Sequence, residues 1–430
     1  MLKMIPPELL SPAGSPEKLR YAFAYGADAV YAGIPKFSLR AKENEFDDSL
    51  LKEMIAYTHK LGKKIYVTAN ILPPNRKINS FERSLASFAE AGPDGWIMSD
   101  PGMIRFALRE FPSIPVHLSV QTNTINWASV AFWHELGVKR IILSRELSME
   151  EISEIHEKVP GMELESFVHG SICIAYSGRC LLSNYFNHRD ANQGTCTNSC
   201  RWEYNVHEEG ETSRTPAGNY AIEEVGRPGE MMPIEEDEHG TYIMNSKDLR
   251  AIGLLKDLRA AGVISFKIEG RSKSIYYLSL VTRAYRKALD DLIQGRNFDA
   301  TLIDEISKTA NRGFTTAFLV SAKNRDTERF DSPQETQLPQ VYAGQVLEGR
   351  SGGWMRLEVK NRIGIGDEVE YISPKRQSRF KISALEDGKG NALTVAHGGN
   401  GSVWVQSPEA PEPHALLSLV CADVPVKQGC

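Results

Sequence analysis

The chain has 430 residues, 41% hydrophobic and 24% charged, with a formal net charge of -5. This allows a barrel-sized core plus a smaller domain and excludes a largely disordered chain. It also excludes a protein that coats nucleic acid, while leaving room for an enzyme that grips one RNA through a local basic patch. No apolar run reaches the roughly 18–20 residues of a membrane span. The start, MLKMIPPELLSPAG, has no signal-peptide core, so a cytoplasmic location is expected.

Over the first 270 residues short β-rich runs alternate with amphipathic helical runs. The expected strands are Glu8 to Ser11, Ala29 to Ala32, Lys64 to Asn70, Gly95 to Ser99, Val116 to Gln121, Arg140 to Ser144, Leu164 to His169 and Ile264 to Glu269. Helical periodicity fills the intervals, with Ser49, Ser80, Asn126 and Ser148 as expected caps. Eight strands in this rhythm predict an α/β fold, a (β/α)8 TIM-like barrel, over residues 1–338. An open doubly wound sheet is the second choice; the dinucleotide fingerprint is absent, since Pro12-Ala13-Gly14-Ser15 follows the first strand.

The seventh unit is interrupted by a Cys-rich insertion over about 171–240, at the C-terminal end of a strand, where barrel enzymes keep their active sites. Cys173, Cys180, Cys196 and Cys200 follow C-x6-C-x15-C-x3-C within it. Clustered thiols in a reducing compartment bind metal more readily than they form disulfides. The long spacing suits an iron-sulfur cluster, with zinc and then buried or redox thiols as the alternatives, because only the last pair approaches a zinc hook. Helix Ser274 to Leu292 closes the barrel, and a charged connector, Ser321 to Gln340, leads into a small all-β domain over 339–430.

A polar ring is expected at the barrel mouth: Asn70, Ser99, Asp100, Gln121, Asn123, Ser144, Arg145, Glu146, His169, Glu269 and Arg271. Arg145 and Arg271, with Lys267 as a weaker third, are natural partners for an anionic small molecule. Internal Arg–Glu pairs would explain the same residues. His169 reads as a general acid or base or as a structural histidine, with Glu165 sharing its inward face by the period of two. Arg271, Lys273, Arg283, Arg286 and Lys287, with Tyr276 and Tyr277, form an expected RNA-binding flank, or else a solvated helix face. Peptidase chemistry finds no H-E-x-x-H and no G-x-S-x-G in the chain.

ESFVHGSICIAYSGRCLLS (165–183) resembles the signature of the peptidase U32 family, sometimes called collagenase-like. LLSPAGSPEKLRYAFAYGADAVYAG (9–33), HLSVQTN (117–123) and KIEGRSKS (267–274) extend the resemblance. NQGTCTNSCRWEY (192–204), EDEHGTYIMNSKDLRAI (236–252) and KIEGRSKS are similar to one tRNA-hydroxylating subgroup more than to the family at large. The resemblance implies a barrel-like core. It further implies tRNA as partner, prephenate or a related dicarboxylate as co-substrate, and 5-hydroxyuridine at the wobble position as product. Catalytic roles would then fall to His169, Glu269 and Arg271, and substrate binding to Asn70, Gln121, Asn123, Arg145 and Lys267. A 4Fe-4S cluster would sit on the four cysteines. A metal-stabilised peptidase and a non-catalytic partner protein are the other readings.

Overall fold

A computed structural model describes residues 6–39, 44–172, 220–223, 231–237, 240–242, 245–311, 313–320, 328–329, 339–399 and 401–421. Eight parallel strands form the core: β1 (Glu8–Pro12), β2 (Ala29–Gly33), β3 (Lys64–Ala69), β4 (Gly95–Met98), β5 (Val116–Leu118), β6 (Arg140–Ile142), β7 (Glu163–Ser171) and β8 (Val263–Ile268). Neighbours pair in sequence order, and β8 pairs with both β7 (Ser265 opposite Glu165) and β1 (Ser265 opposite Glu8), so the sheet closes into a TIM-like barrel. Closure leaves these eight strands without a free edge.

Helices α1 (Pro16–Ala24), α2 (Asp48–Lys60), α3 (Ile78–Ala89), α4 (Pro101–Glu110), α5 (Trp127–Glu135), α6 (Met149–Lys158), α7 (Leu255–Ala260) and α8 (Ile275–Ile293) connect or follow the strands. Asn126 and Ser148 cap their helices as expected, Ser148 within a capping box. Ser49 and Ser80 do not. Asp47 caps α2 instead, because its carboxylate sits two positions earlier and accepts from Leu50 N. Ser80 lies inside α3, donating to Lys77 O at 2.8 Å. The strand Asp248–Arg250 pairs antiparallel with β7 before α7 begins. Among the described residues, no helix is long and apolar enough to cross a membrane.

From Gln340 the chain builds an eight-stranded antiparallel sheet with its own core, including Met355, Leu357, Val369, Tyr371, Val405 and Leu417. Buried polar contacts tie it to the barrel. The Tyr25 hydroxyl, behind β1, donates to Ile372 O at 3.1 Å and His414 O at 2.9 Å. Lys308 Nζ, after helix α9 (Thr301–Ser307), meets Glu370 at 2.8 Å. Ile372 and Leu416 belong to the barrel's apolar cluster. Truncating the chain after residue 338 is therefore expected to lower the barrel's thermal midpoint by several degrees, because it bares Tyr25 and Tyr276 and leaves Lys308 with Glu305 but without Glu370. An unchanged midpoint by calorimetry would show the domains to be energetically independent.

Candidate functional site

The barrel interior is charged rather than apolar. Arg140, entering from β6, donates from Nη1 to Glu8 at 2.7 Å and Glu165 at 3.2 Å, while Nε reaches Glu163 at 3.0 Å. Lys267 Nζ, from β8, donates to Glu165 at 2.8 Å. Tyr66 OH donates to Glu8 at 2.6 Å, and Ser265 Oγ bonds the same carboxylate at 2.9 Å. Glu165 is 0% exposed. Burial pushes the Glu8 carboxyl up, but the Arg140 guanidinium and the Tyr66 hydroxyl outweigh it and hold it below the usual carboxylate range. Burial lowers Lys267 despite the opposing pull of Glu165. His117, stacked edge-on against Tyr66, is held well below its ordinary value by burial, then by Arg140 and Lys267.

Above this layer, where β3, β4 and β5 end, lies an amide and hydroxyl network. Gln121 Oε1 accepts from Asn70 Nδ2 at 2.6 Å, Ser99 Oγ at 2.8 Å and Ser119 Oγ at 3.3 Å. Those donors fix the amide's orientation. Its Nε2 is buried and has no hydrogen-bond partner among the described residues. Asn70 Oδ1 accepts from Leu39 N at 3.0 Å, and Arg271 Nη2 donates to Leu39 O at 2.6 Å, so one loop residue links two of the expected ring members. Gly33 makes this approach possible: a Cβ there would stand 2.3 Å from Ser38 Oγ and 2.9 Å from Arg271 Nη1.

The Lys267 ammonium lies 4.5 Å from the Tyr31 ring centroid and 5.3 Å from that of Phe167, and Arg145 stacks on Phe167 at 3.9 Å. Tyr31 OH donates to Glu269 Oε2 at 3.1 Å. The structure thus gathers Asn70, Ser99 and Gln121 into one network, and Lys267, Arg145 and Glu269 around Tyr31 and Phe167. Two expected ring members have local duties: Asp100 caps α4 through Met103 N at 3.0 Å, and Asn123 ends a 3-10 turn in the left-handed region at φ 49°. Glu146 accepts from Ser144 Oγ. The internal ion pair of Lys267 is with Glu165, a partner its distant sequence position concealed.

His169 does not share the inward face of Glu165. Lys267 pairs with Phe167 but Ile268 pairs with His169, so Val168 is an extra residue, and the bulge turns His169 outward. There it lies 1% exposed among Tyr277, Tyr285 and Phe314. Burial, then the charges of Arg250 and Lys273, lowers its pKa to about 3. The unfolded chain therefore binds the extra proton between about pH 6.5 and 3, and stability falls as pH drops through that window, by about 1.4 kcal/mol per pH unit. His169→Phe is expected to remove that slope from denaturation midpoints measured against pH. Parallel curves for variant and wild type would mean the imidazole is solvated.

The expected RNA flank on α8 is committed elsewhere. Arg283 pairs with Glu305 and donates to Ser373 O, Arg286 pairs with Asp28 and Asp290, and Lys287 pairs with Asp299. Tyr276 and Tyr277 are buried. Cys173, Cys180, Cys196 and Cys200, and Arg201-Trp202 after them, lie outside the described residues.

The family model for peptidase family U32 matches residues 14–329, and that for the peptidase family U32 C-terminal domain matches residues 339–418. The chain belongs to peptidase family U32. The U32 relatives differ in their named activities. Over 96% of this chain and 97% of the relative, it is 48% identical to tRNA hydroxylation protein P of Escherichia coli strain K12. It is 32% identical to the 23S rRNA 5-hydroxycytidine C2501 synthase of the same strain, over 88% of this chain and 54% of that one. A collagenase of Porphyromonas gingivalis strain W83 is 29% identical over 90% of this chain and 94% of its own. The polar barrel interior went unread in the sequence because Glu8 and Arg140 begin their strands, where a charge looks like a surface residue. A period of two along β3 (Tyr66, Thr68, Asn70) and β6 (Arg140, Ile142, Ser144) carried the signal.

Proposed function

We propose that this U32 protein is an RNA-hydroxylating enzyme whose substrate is the wobble uridine of tRNA, converted at C5 to 5-hydroxyuridine with prephenate as required co-substrate. The observation that carries the reading is the 48% identity to tRNA hydroxylation protein P along 96% of the chain. The mouth chemistry supports it. A uracil turned out of its stack presents carbonyls and an N–H along one edge, and the Gln121 amide, held through Oε1, keeps N–H bonds for such an acceptor. Arg145 and Arg271 are the guanidinium groups for the two carboxylates of prephenate, since each can pair a carboxylate two ways. Glu269 orients the Tyr31 hydroxyl. His169, buried and neutral behind the barrel wall, is a positioning residue for the chain leading into the cysteine segment. The donor set of Cys173, Cys180, Cys196 and Cys200, four thiolates drawn from a long segment, fits a 4Fe-4S cluster. Such a cluster supplies one-electron transfer when bound.

Nucleoside mass spectrometry of tRNA from a strain lacking this gene tests the reading. Loss of 5-hydroxyuridine, restored by the gene only when prephenate synthesis is intact, is the expected result. Unchanged 5-hydroxyuridine would overturn it and return attention to the peptidase reading that the collagenase relative favours.

A further inference from the structure

Arg283, Arg286 and Lys287 of α8 each meet a carboxylate, so cations without an ion pair are the stronger candidates for contact with RNA. Beside the mouth, between α2, α3 and the loop after β2, is a cavity of about 430 Å³ lined by Lys36, Lys77 and Arg83 with the serines of α3. Lys77, Ser80, Ser84 and Ser87 recur at intervals of three and four, which places them along one helix face. Lys52 reaches the same wall from α2, donating to Ser87 Oγ at 2.8 Å. Asp48 is the acidic group in the lining. Among the described residues, Lys36, Lys77 and Arg83 form no ion pair, in a chain whose net charge is -5. Lys36 is also held at φ 69°, a left-handed conformation uncommon outside glycine, asparagine and aspartate. Its loop is fastened to the mouth: Ile71 N donates to Phe37 O at 3.3 Å, and Leu39 bridges Asn70 and Arg271.

We propose that this cavity holds a backbone phosphate of the RNA whose target base enters the barrel mouth. The proposal rests on the RNA-hydroxylation reading. Cations left unpaired around a concave, hydroxyl-lined site are what a phosphodiester needs, and a rim site beside Asn70 and Arg271 would fix the strand's register without reading its sequence.

The test is filter binding of an unmodified tRNA transcript to the full chain at several salt concentrations, comparing wild type with Lys36→Ala/Arg83→Ala and Lys77→Ala. Expected is a roughly tenfold rise in Kd for the double variant and a salt slope shallower by about 0.7–0.9 for each phosphate that the variant no longer neutralises. Hydroxylation at saturating tRNA should stay within about twofold, which a structural role would not predict. Lys287→Ala, a surface lysine already paired with Asp299, should bind like wild type. Unchanged affinity and slope in the double variant, with wild type binding tRNA, would overturn this proposal and leave the hydroxylase reading intact. A wild type that binds no tRNA would overturn both. If the variants lost affinity for inorganic phosphate in a thermal-shift assay but kept tRNA affinity, the site would be one for a small anion, and the RNA assignment would fail.

Discussion

Arg140→Met is expected to destabilise the barrel by about 3–5 kcal/mol, the range for removing one partner from a buried ion pair. The Arg140 side chain is 6% exposed and meets three carboxylates, of Glu8, Glu163 and Glu165, whose side chains are 11%, 19% and 0% exposed. Without it Lys267 still answers Glu165, but the cations left to Glu8 and Glu163 among the described residues are Lys64 and Lys139, both more than half exposed and weak as partners, with Tyr66 and Ser265 as neutral donors to Glu8. The effect has a pH signature. In the wild type the depressed Glu8 pKa contributes stability above its unfolded value, near 4.5, which is lost as pH falls through the folded value. In the variant burial of Glu8 is opposed by the Tyr66 hydroxyl and Lys64 without the guanidinium, so protonation costs less and the deficit should shrink as pH drops from 7 toward 4. Urea unfolding at both pH values decides the matter. A deficit below about 1 kcal/mol at pH 7 would mean that water reaches the barrel interior.

The second large effect concerns chemistry. Each of Cys173→Ala, Cys180→Ala, Cys196→Ala and Cys200→Ala is expected to cut tRNA hydroxylation at least 100-fold and to bleach protein purified without oxygen. Wild type should be brown, with about four iron per chain. Binding of tRNA should stay within about threefold, since the proposed phosphate site lies on α3 and the loop after β2. Cys421→Ala and Cys430→Ala are the controls and should change neither colour nor rate. Colourless wild type holding about one zinc, and losing its fold on chelation, would replace the cluster with a structural metal. A Cys173→Ala protein that hydroxylated tRNA at the normal rate would sink the mechanism altogether.

The barrel strands were legible because β-branched and aromatic runs bounded by Gly, Pro and Asp leave a local trace, and each strand was placed within a few residues. Asn70, Ser99 and Gln121 were legible for the same reason: polar residues ending apolar strands have few uses besides a pocket or a cap. Long-range pairing left no such trace. Arg140 meets Glu8 across 132 positions, and neither residue announces the other. His169 was misread in orientation because alternation assumes an unbroken register, and a bulge at Val168 is invisible to it. The α8 cations looked available because their partners, among them Asp28, Glu305 and Ser373, lie in other elements. In the other direction, the capping of α2 by Asp47 rather than Ser49 shows two good cap residues competing, with the better-placed carboxylate winning.

The charged layer inside the barrel also bears on how the protein is made. Glu8 leaves the ribosome before the rest of its layer, and Ser265 and Lys267, which complete that layer and close the sheet, follow about 260 residues later. At about 5–20 residues per second that is a wait of roughly 13–50 s. Throughout it the nascent strands hold carboxylates that no closed barrel yet shelters. A chain in this position stays hydrated along its future interior until β8 arrives, which disfavours the premature apolar collapse that a hydrocarbon-lined barrel would risk.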